Sequence, residues 1–174
     1  EVFERIGLFR EDYFMYYDDV EFCWRARLAG YRVGLAEASV CHHKYTFGST
    51  VHWVYYLERN RLRTLLAMEK LPTLLLMAPC LVVAQLVVAV YSVSRGWGGT
   101  VAKLAWYFAR RDTWRSIAAH RQDVQRIRRL NDADIVPKFS GQIVFSEMNH
   151  PLLRYLFNPL LALYWVLVRW LIVW

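Results

Sequence analysis

Three groups in the first 61 residues carry side chains that chemistry can use. Asp18-Asp19 with Glu21 puts three carboxylates within four positions, directly after an aromatic cluster of Tyr13, Phe14, Tyr16 and Tyr17. Carboxylates at a helix start are stabilised by the helix dipole and by unpaired backbone N–H groups, so this grouping has an ordinary structural reading beside any functional one. His42-His43 ends a strand-like stretch, where an imidazole can reach a metal or a partner carboxylate, although a histidine pair by itself demands neither. Arg59-Asn60-Arg61 falls early in a helix-like segment. It offers a guanidinium fork and an amide, and a solvated helix face would accommodate the same residues.

The elements that must hold these groups follow from the pattern around them. The stretch opened by Asp18-Asp19 stops at Gly30, with acids at its start and glycine just past its end, which predicts a helix over residues 19–29. Tyr31 to Leu35 and Ala38 to Cys41 are short and strand-like, joined by a turn too short to hold a helix. Helical periodicity returns from Thr50 to Met68. A helix, two strands and a helix within roughly 70 residues sit near the size at which a domain is marginal. The expectation is therefore an α/β unit, residues 1–70, that is the C-terminal portion of a larger domain.

Beyond residue 70 the character changes. Leu71 to Tyr91 runs 21 residues without a charge, enough for roughly 30 Å of hydrocarbon at about 1.5 Å per residue. Residues 71–91 are predicted as a membrane helix, with a buried helix of a soluble domain as the ordinary alternative. Residues 151–174 are predicted as a second one, because Arg154 and Arg169 lie where long side chains can snorkel and Tyr155, Tyr164, Trp165, Trp170 and Trp174 suit an interface. Between them, residues 92–150 form a basic juxtamembrane region. Its Thr100 to Leu130 part reads as an amphipathic helix carrying Arg110, Arg111, Arg115, Arg121, Arg126, Arg128 and Arg129, lying in the membrane interface or else packed on the first unit. Asp132-Ala133-Asp134 reads as a helix end.

Of the 174 residues 56% are hydrophobic, 16% aromatic and 21% charged, which excludes a disordered or collagen-like chain. The net charge of +7 is unevenly placed: residues 1–70 hold ten basic and ten acidic side chains, and residues 92–150 hold ten basic against five acidic. An excess beside apolar segments favours anionic membrane lipids over nucleic acid as the partner. Cys23, Cys41 and Cys80, odd in number and without C-x-x-C spacing, are expected to be free thiols.

Taken in order, the run Ile6 to Val33, with its Phe14-Met15-Tyr16-Tyr17-Asp18-Asp19-Val20-Glu21 and Arg25-Ala26-Arg27-Leu28-Ala29-Gly30-Tyr31, resembles the C-terminal half of an inverting family-2 glycosyltransferase catalytic domain, closest to the bacterial rhamnosyl- and galactofuranosyltransferases. The likeness continues through Ala38-Ser39-Val40-Cys41-His42 and Ser49 to Tyr55-Tyr56-Leu57-Glu58-Arg59-Asn60-Arg61. It implies a GT-A, Rossmann-like α/β fold whose nucleotide-binding N-terminal half is absent from the chain, followed by α-helical membrane segments.

The resemblance also implies a chemistry. In an inverting transfer a base removes the acceptor hydroxyl's proton while that oxygen attacks the anomeric carbon opposite the nucleotide diphosphate. That base maps onto Asp19, and its neighbour, usually Glu, onto Asp18 in an orienting or acceptor-binding role. A divalent cation, Mg or Mn, on the departing diphosphate would take His42 as a ligand, with His43 the runner-up. Arg59 and Asn60 would bind phosphate oxygens of donor or acceptor, and Arg25 would pair with carboxylates and hold its helix. The expected function is transfer of a sugar from a nucleotide-sugar donor to a lipid-linked or cell-wall glycan acceptor at a bacterial inner membrane, with this portion alone inactive. The rival is a non-catalytic membrane-anchored binding module. Cytosolic nucleotide sugars would place residues 1–70 in the cytoplasm. A full span at 71–91 then leaves the basic loop outside, against the positive-inside tendency. A re-entrant segment around Pro79 resolves that conflict and is the favoured reading.

Overall fold

The computed structural model describes residues 1–42, 51–143 and 151–174, with the side chains at 51 and 52 excepted. His43 and Ser49, both drawn into the resemblance, lie outside the described residues. Eight α-helices run in chain order: α1 (Val2–Ile6), α2 (Asp18–Leu28), α3 (Val51–Met68), α4 (Leu71–Ser94), α5 (Gly98–Ala109), α6 (Arg111–Ile127), α7 (Asp132–Ile135) and α8 (Asn158–Arg169), among the described residues. Short 3₁₀ turns occupy Glu11–Tyr13 and Val136–Lys138, and a π-helical turn, Leu153–Phe157, leads into α8.

No strand occurs among the described residues, so the expected α/β, Rossmann-like architecture is overturned: the chain is helical. The reason lies in where the backbone of the two strand-like stretches finds partners. Tyr31 N–H donates to Ala26 O at 3.0 Å, closing the end of α2, and Arg27 Nη2 donates to Val33 O at 3.1 Å. Ser39 N–H turns back to Ala36 O at 3.0 Å. A strand needs a neighbouring strand, and β-branched composition without one leaves only an extended arm. Tyr31 and Val33 of that arm pack on a small core of Ile6, Ala26 and Ala29.

The chain divides into two compact units. One comprises Glu1–Met68 with Ala102–Arg129, the other Glu69–Val101 with Leu130–Trp174. In the first, α6 lies along α3 and buries Thr113, Ile117, His120 and Val124, a stripe at helical spacing. Arg121 and Gln125 donate to the otherwise unpaired carbonyls of the last turn of α3: Arg121 to Leu66 O at 2.9 Å, and Gln125 to Ala67 O and Met68 O at 3.2 and 3.1 Å. Cations at a helix C-terminus also meet the negative end of its dipole. The interfacial helix expected over Thr100–Leu130 is thus two helices, and the second spends its apolar face on α3. α5 differs, since none of its residues is buried.

In the second unit, α4 runs 24 residues, about 36 Å at 1.5 Å each, and is long and apolar enough to cross a membrane. Only Thr73, Met77, Val88 and Ser92 are buried along it, while Leu75, Val82, Leu86 and Val90 are exposed. A core helix of a soluble domain would hide that surface. The helix continues through Pro79 without a break. Residues 151–169 are helical without a break, running through the π-helical turn Leu153–Phe157 into α8. Asp132-Ala133-Asp134 opens α7 instead of ending a helix, and buried Asp132 accepts from Lys70 N–H at 2.8 Å and Thr73 Oγ1 at 2.5 Å, capping the start of α4.

Candidate functional site

The carboxylates lie where the sequence puts them, in the first turn of α2. Asp18 is half-buried and Asp19 exposed, with Asp19 Oδ1 accepting from Val20 N–H at 2.8 Å. Glu21 does something different. It is fully buried, and its oxygens accept from Arg25 Nε and Nη2 at 2.8 and 2.9 Å while His120 Nε2 stands 2.9 Å from Oε1. Burial alone would raise the Glu21 carboxyl, but the hydrogen bonds from His120 and Arg25 outweigh it and hold the group below its ordinary value. Burial lowers His120. The pair is thus a carboxylate and a neutral imidazole donating from Nε2, which leaves the buried Nδ1 with no partner among the described residues. Arg25 Nη2 also donates to Leu8 O at 2.8 Å and Nη1 to Ile6 O, so Arg25 ties α2 to the segment that precedes it.

Between Tyr13 and α2 the backbone is strained. Phe14 has φ 64° and ψ −57°, with Met15 N–H donating to Tyr13 O at 2.7 Å, which is the rarer and strained form of γ-turn. Tyr16 and Tyr17 follow at φ 61° and 67°. Three bulky residues in the left-handed region cost of order 1–3 kcal/mol each and persist only where the surroundings over-determine them.

Arg59 and Asn60 supply that determination. Asn60, fully buried on α3, donates from Nδ2 to Tyr13 O at 3.0 Å, Met15 O at 2.9 Å and Tyr16 O at 2.7 Å. Arg59 Nε donates to Asn60 Oδ1 at 2.9 Å, fixing the amide's orientation, and Nη2 donates to Asp12 O and Tyr13 O at 3.0 and 2.8 Å. Its guanidinium also lies over the rings of Tyr55, Tyr56 and Tyr107. Arg59 Nε and Nη2 and the Asn60 amide are thus engaged with each other and with loop carbonyls, behind the loop that leads to the carboxylates.

The segment before the strained loop is anchored as firmly. Tyr13 is fully buried with its OH 2.8 Å from Thr64 Oγ1, and burial pushes its phenol well above the ordinary value. Arg63 reaches Tyr107 OH at 2.8 Å and Ser116 Oγ at 3.1 Å and pairs with Asp12. Burial works against ionisation of Asp12, yet Arg10 and Arg63 hold its carboxyl below its usual range. On the open side, burial raises the Tyr17 phenol, helped by the charges of Glu58 and Asp19 and opposed by Arg61, which places these groups within electrostatic reach of one another. Arg61 in turn grips Glu58 at 2.7 and 3.2 Å.

His42 is exposed at the end of the extended arm, and no three His, Cys, Asp or Glu side chains gather to hold a metal among the described residues. A cleft of about 660 Å³ in the first unit is lined by Ile6, Arg10, Asp12, Arg25, His120 and Arg126, and by none of Asp18, Asp19, His42, Arg59 or Asn60. The three cysteines are free thiols. His120 and Arg63 escaped the sequence reading. For His120 the available signal was its place in the Ile117, His120, Val124 stripe. Arg63 had only its spacing of four from Arg59.

No protein-family profile matches the chain, and no solved structure matches it. Over 64 residues the chain is 38% identical to the low-salt glycan biosynthesis hexosyltransferase Agl10 of Haloferax volcanii, a stretch that is 34% of this chain and 21% of that protein. The chain spans about a fifth of the length of the curated relative it matches. Over those 64 residues the chain is similar to a hexosyltransferase, and among the described residues it has one helix apolar enough for a bilayer.

Proposed function

We propose that the chain is part of a membrane-associated glycosyltransferase that moves a sugar from a nucleotide-sugar donor to a lipid-linked or glycan acceptor with inversion at the anomeric carbon. The observation that carries this is Asp19: a solvent-facing carboxylate at a helix start, presented by a strained loop whose every turn is held from behind. Asp19 acts as the base. The acceptor hydroxyl loses its proton to the Asp19 carboxylate as its oxygen forms the new bond to the anomeric carbon, and the bond to the diphosphate breaks on the opposite face with the electron pair leaving on the diphosphate. Asp18, half-buried beside it, orients the acceptor. α4 anchors the unit at the cytoplasmic face, where nucleotide sugars are found.

The test is chemical. Membranes carrying the full-length protein, given a panel of nucleotide sugars and a lipid extract, should yield a glycosylated product whose anomeric configuration is opposite to the donor's. A product of retained configuration, or none across the panel, overturns the reading.

Lipid contact belongs to the same proposal. On α5 and the start of α6, Trp106 and Trp114 are exposed beside exposed Arg110, Arg111 and Arg115, an amphipathic surface that suits anionic headgroups. In proteoliposomes, brominated anionic lipids are expected to quench a component of the tryptophan fluorescence that disappears in Trp106→Phe/Trp114→Phe. Undiminished quenching in that variant places the contact elsewhere.

A further inference from the structure

We infer that Arg59 and Asn60 are positioning residues for the Asp18-Asp19 carboxylates, acting through the strap of residues 12–17, and are not ligands of phosphate. The inference rests on the proposed role of Asp19. Its physical basis is independent of that role.

A chain left to itself does not hold Phe14, Tyr16 and Tyr17 at positive φ, since their Cβ atoms oppose it. Each of the three would relax toward the extended or right-handed region, and each relaxation would swing the start of α2. What prevents it is a single amide. Asn60 Nδ2 meets the carbonyls of Tyr13, Met15 and Tyr16, so it reads the strap on both sides of the Phe14 turn. Arg59 fixes which way that amide faces and takes the carbonyls of Asp12 and Tyr13. The two side chains are buried, sit on neighbouring positions of α3, and span five consecutive residues of the strap with their contacts.

The arrangement also explains the residue types. An amide offers two N–H groups and a fixed acceptor in one plane, and a guanidinium offers a fork. An Asn60→Asp change would keep the volume and turn lone pairs toward three carbonyls. Arg59→Lys would keep the charge and lose the fork. Tyr17, the last strained residue, is the N-cap of α2, so the conformation the clamp imposes is inherited directly by Asp18 and Asp19. A displacement of about 1 Å at a reacting group can cost roughly 10²-fold in rate.

Hydrogen exchange and kinetics on the full-length protein in nanodiscs test this together. In Asn60→Ala, peptides covering residues 12–19 should exchange faster while those covering residues 22–28 stay protected. Turnover should fall by roughly 10²-fold with the donor KM unchanged. Arg59→Lys should move both readouts in the same direction by less, and serves if Asn60→Ala does not fold. A raised donor KM with turnover intact would make the pair a ligand-binding element and overturn the inference, as would faster exchange with full turnover or no change in exchange. The base assignment fails separately, by wild-type turnover in Asp19→Asn.

Discussion

Asp19→Asn should lower sugar transfer by roughly 10²–10⁴-fold, the range for loss of a positioned general base, while nucleotide-sugar binding stays nearly intact. The separation is expected because the carboxylate acts on the acceptor's proton and not on the donor. Asn preserves the size and the first-turn placement of the side chain, and its amide oxygen can still accept from Val20 N–H as Asp19 Oδ1 does. The helix should therefore be undisturbed, and the loss should appear in turnover. Asp18→Asn, at the half-buried neighbour, should act more on the acceptor KM. Titrating donor binding calorimetrically beside the transfer assay reads both; wild-type turnover in Asp19→Asn removes Asp19 from the reaction.

The second large effect is on stability. Arg25→Ala is expected to destabilise the unit by about 3–5 kcal/mol, the cost of removing one partner of a buried ion pair. Arg25 answers both oxygens of fully buried Glu21 and two backbone carbonyls of the preceding segment. Without it Glu21 keeps, among the described residues, the imidazole of His120. Thermal unfolding in detergent, followed by circular dichroism, checks the size; a loss below about 1 kcal/mol would put the pair among those that contribute little. Arg25→Lys should recover only part, for want of the fork.

The same triad sets a pH dependence. His120 is lowered from 6.5 by burial, so the unfolded chain binds a proton that the folded one refuses, and stability should fall as pH drops below about 6.5. Glu21 is held below 4.5 by His120 and Arg25 against the effect of burial, so its share is present above that value and is lost on further acidification. Both contributions have one sign. His120→Gln should flatten the upper part of this profile, between pH 7 and 5, and leave the lower part; an unchanged slope there would assign the loss to another group.

Helix starts and stops were legible residue by residue. The acids at Asp18-Asp19 and the glycine at Gly30, which sits at φ 91° just past the helix, mark α2 to within one residue of its observed ends, because capping and left-handed termination are local properties. The uncharged run from Leu71 was equally plain, since hydrocarbon length is a matter of counting. The strand-like arm at Tyr31 was not legible: strand formation depends on a second strand, and no local pattern announces whether one is there. Periodicity from Thr100 to Leu130 showed an amphipathic face, and only packing could say that part of that face is spent on α3.

The site divides along the same line. The resemblance to a known family put Asp18, Asp19, Arg59 and Asn60 in one site. What each one holds was decided by tertiary structure: the carbonyls that occupy Asn60 belong to residues 44 to 47 positions away in the chain, and the imidazole that meets Glu21 lies 99 positions away. Spacing reports which side chains share a helix face. It carries no record of which distant backbone groups need a donor, and burial of a polar group is satisfied by whatever partner the fold brings to it.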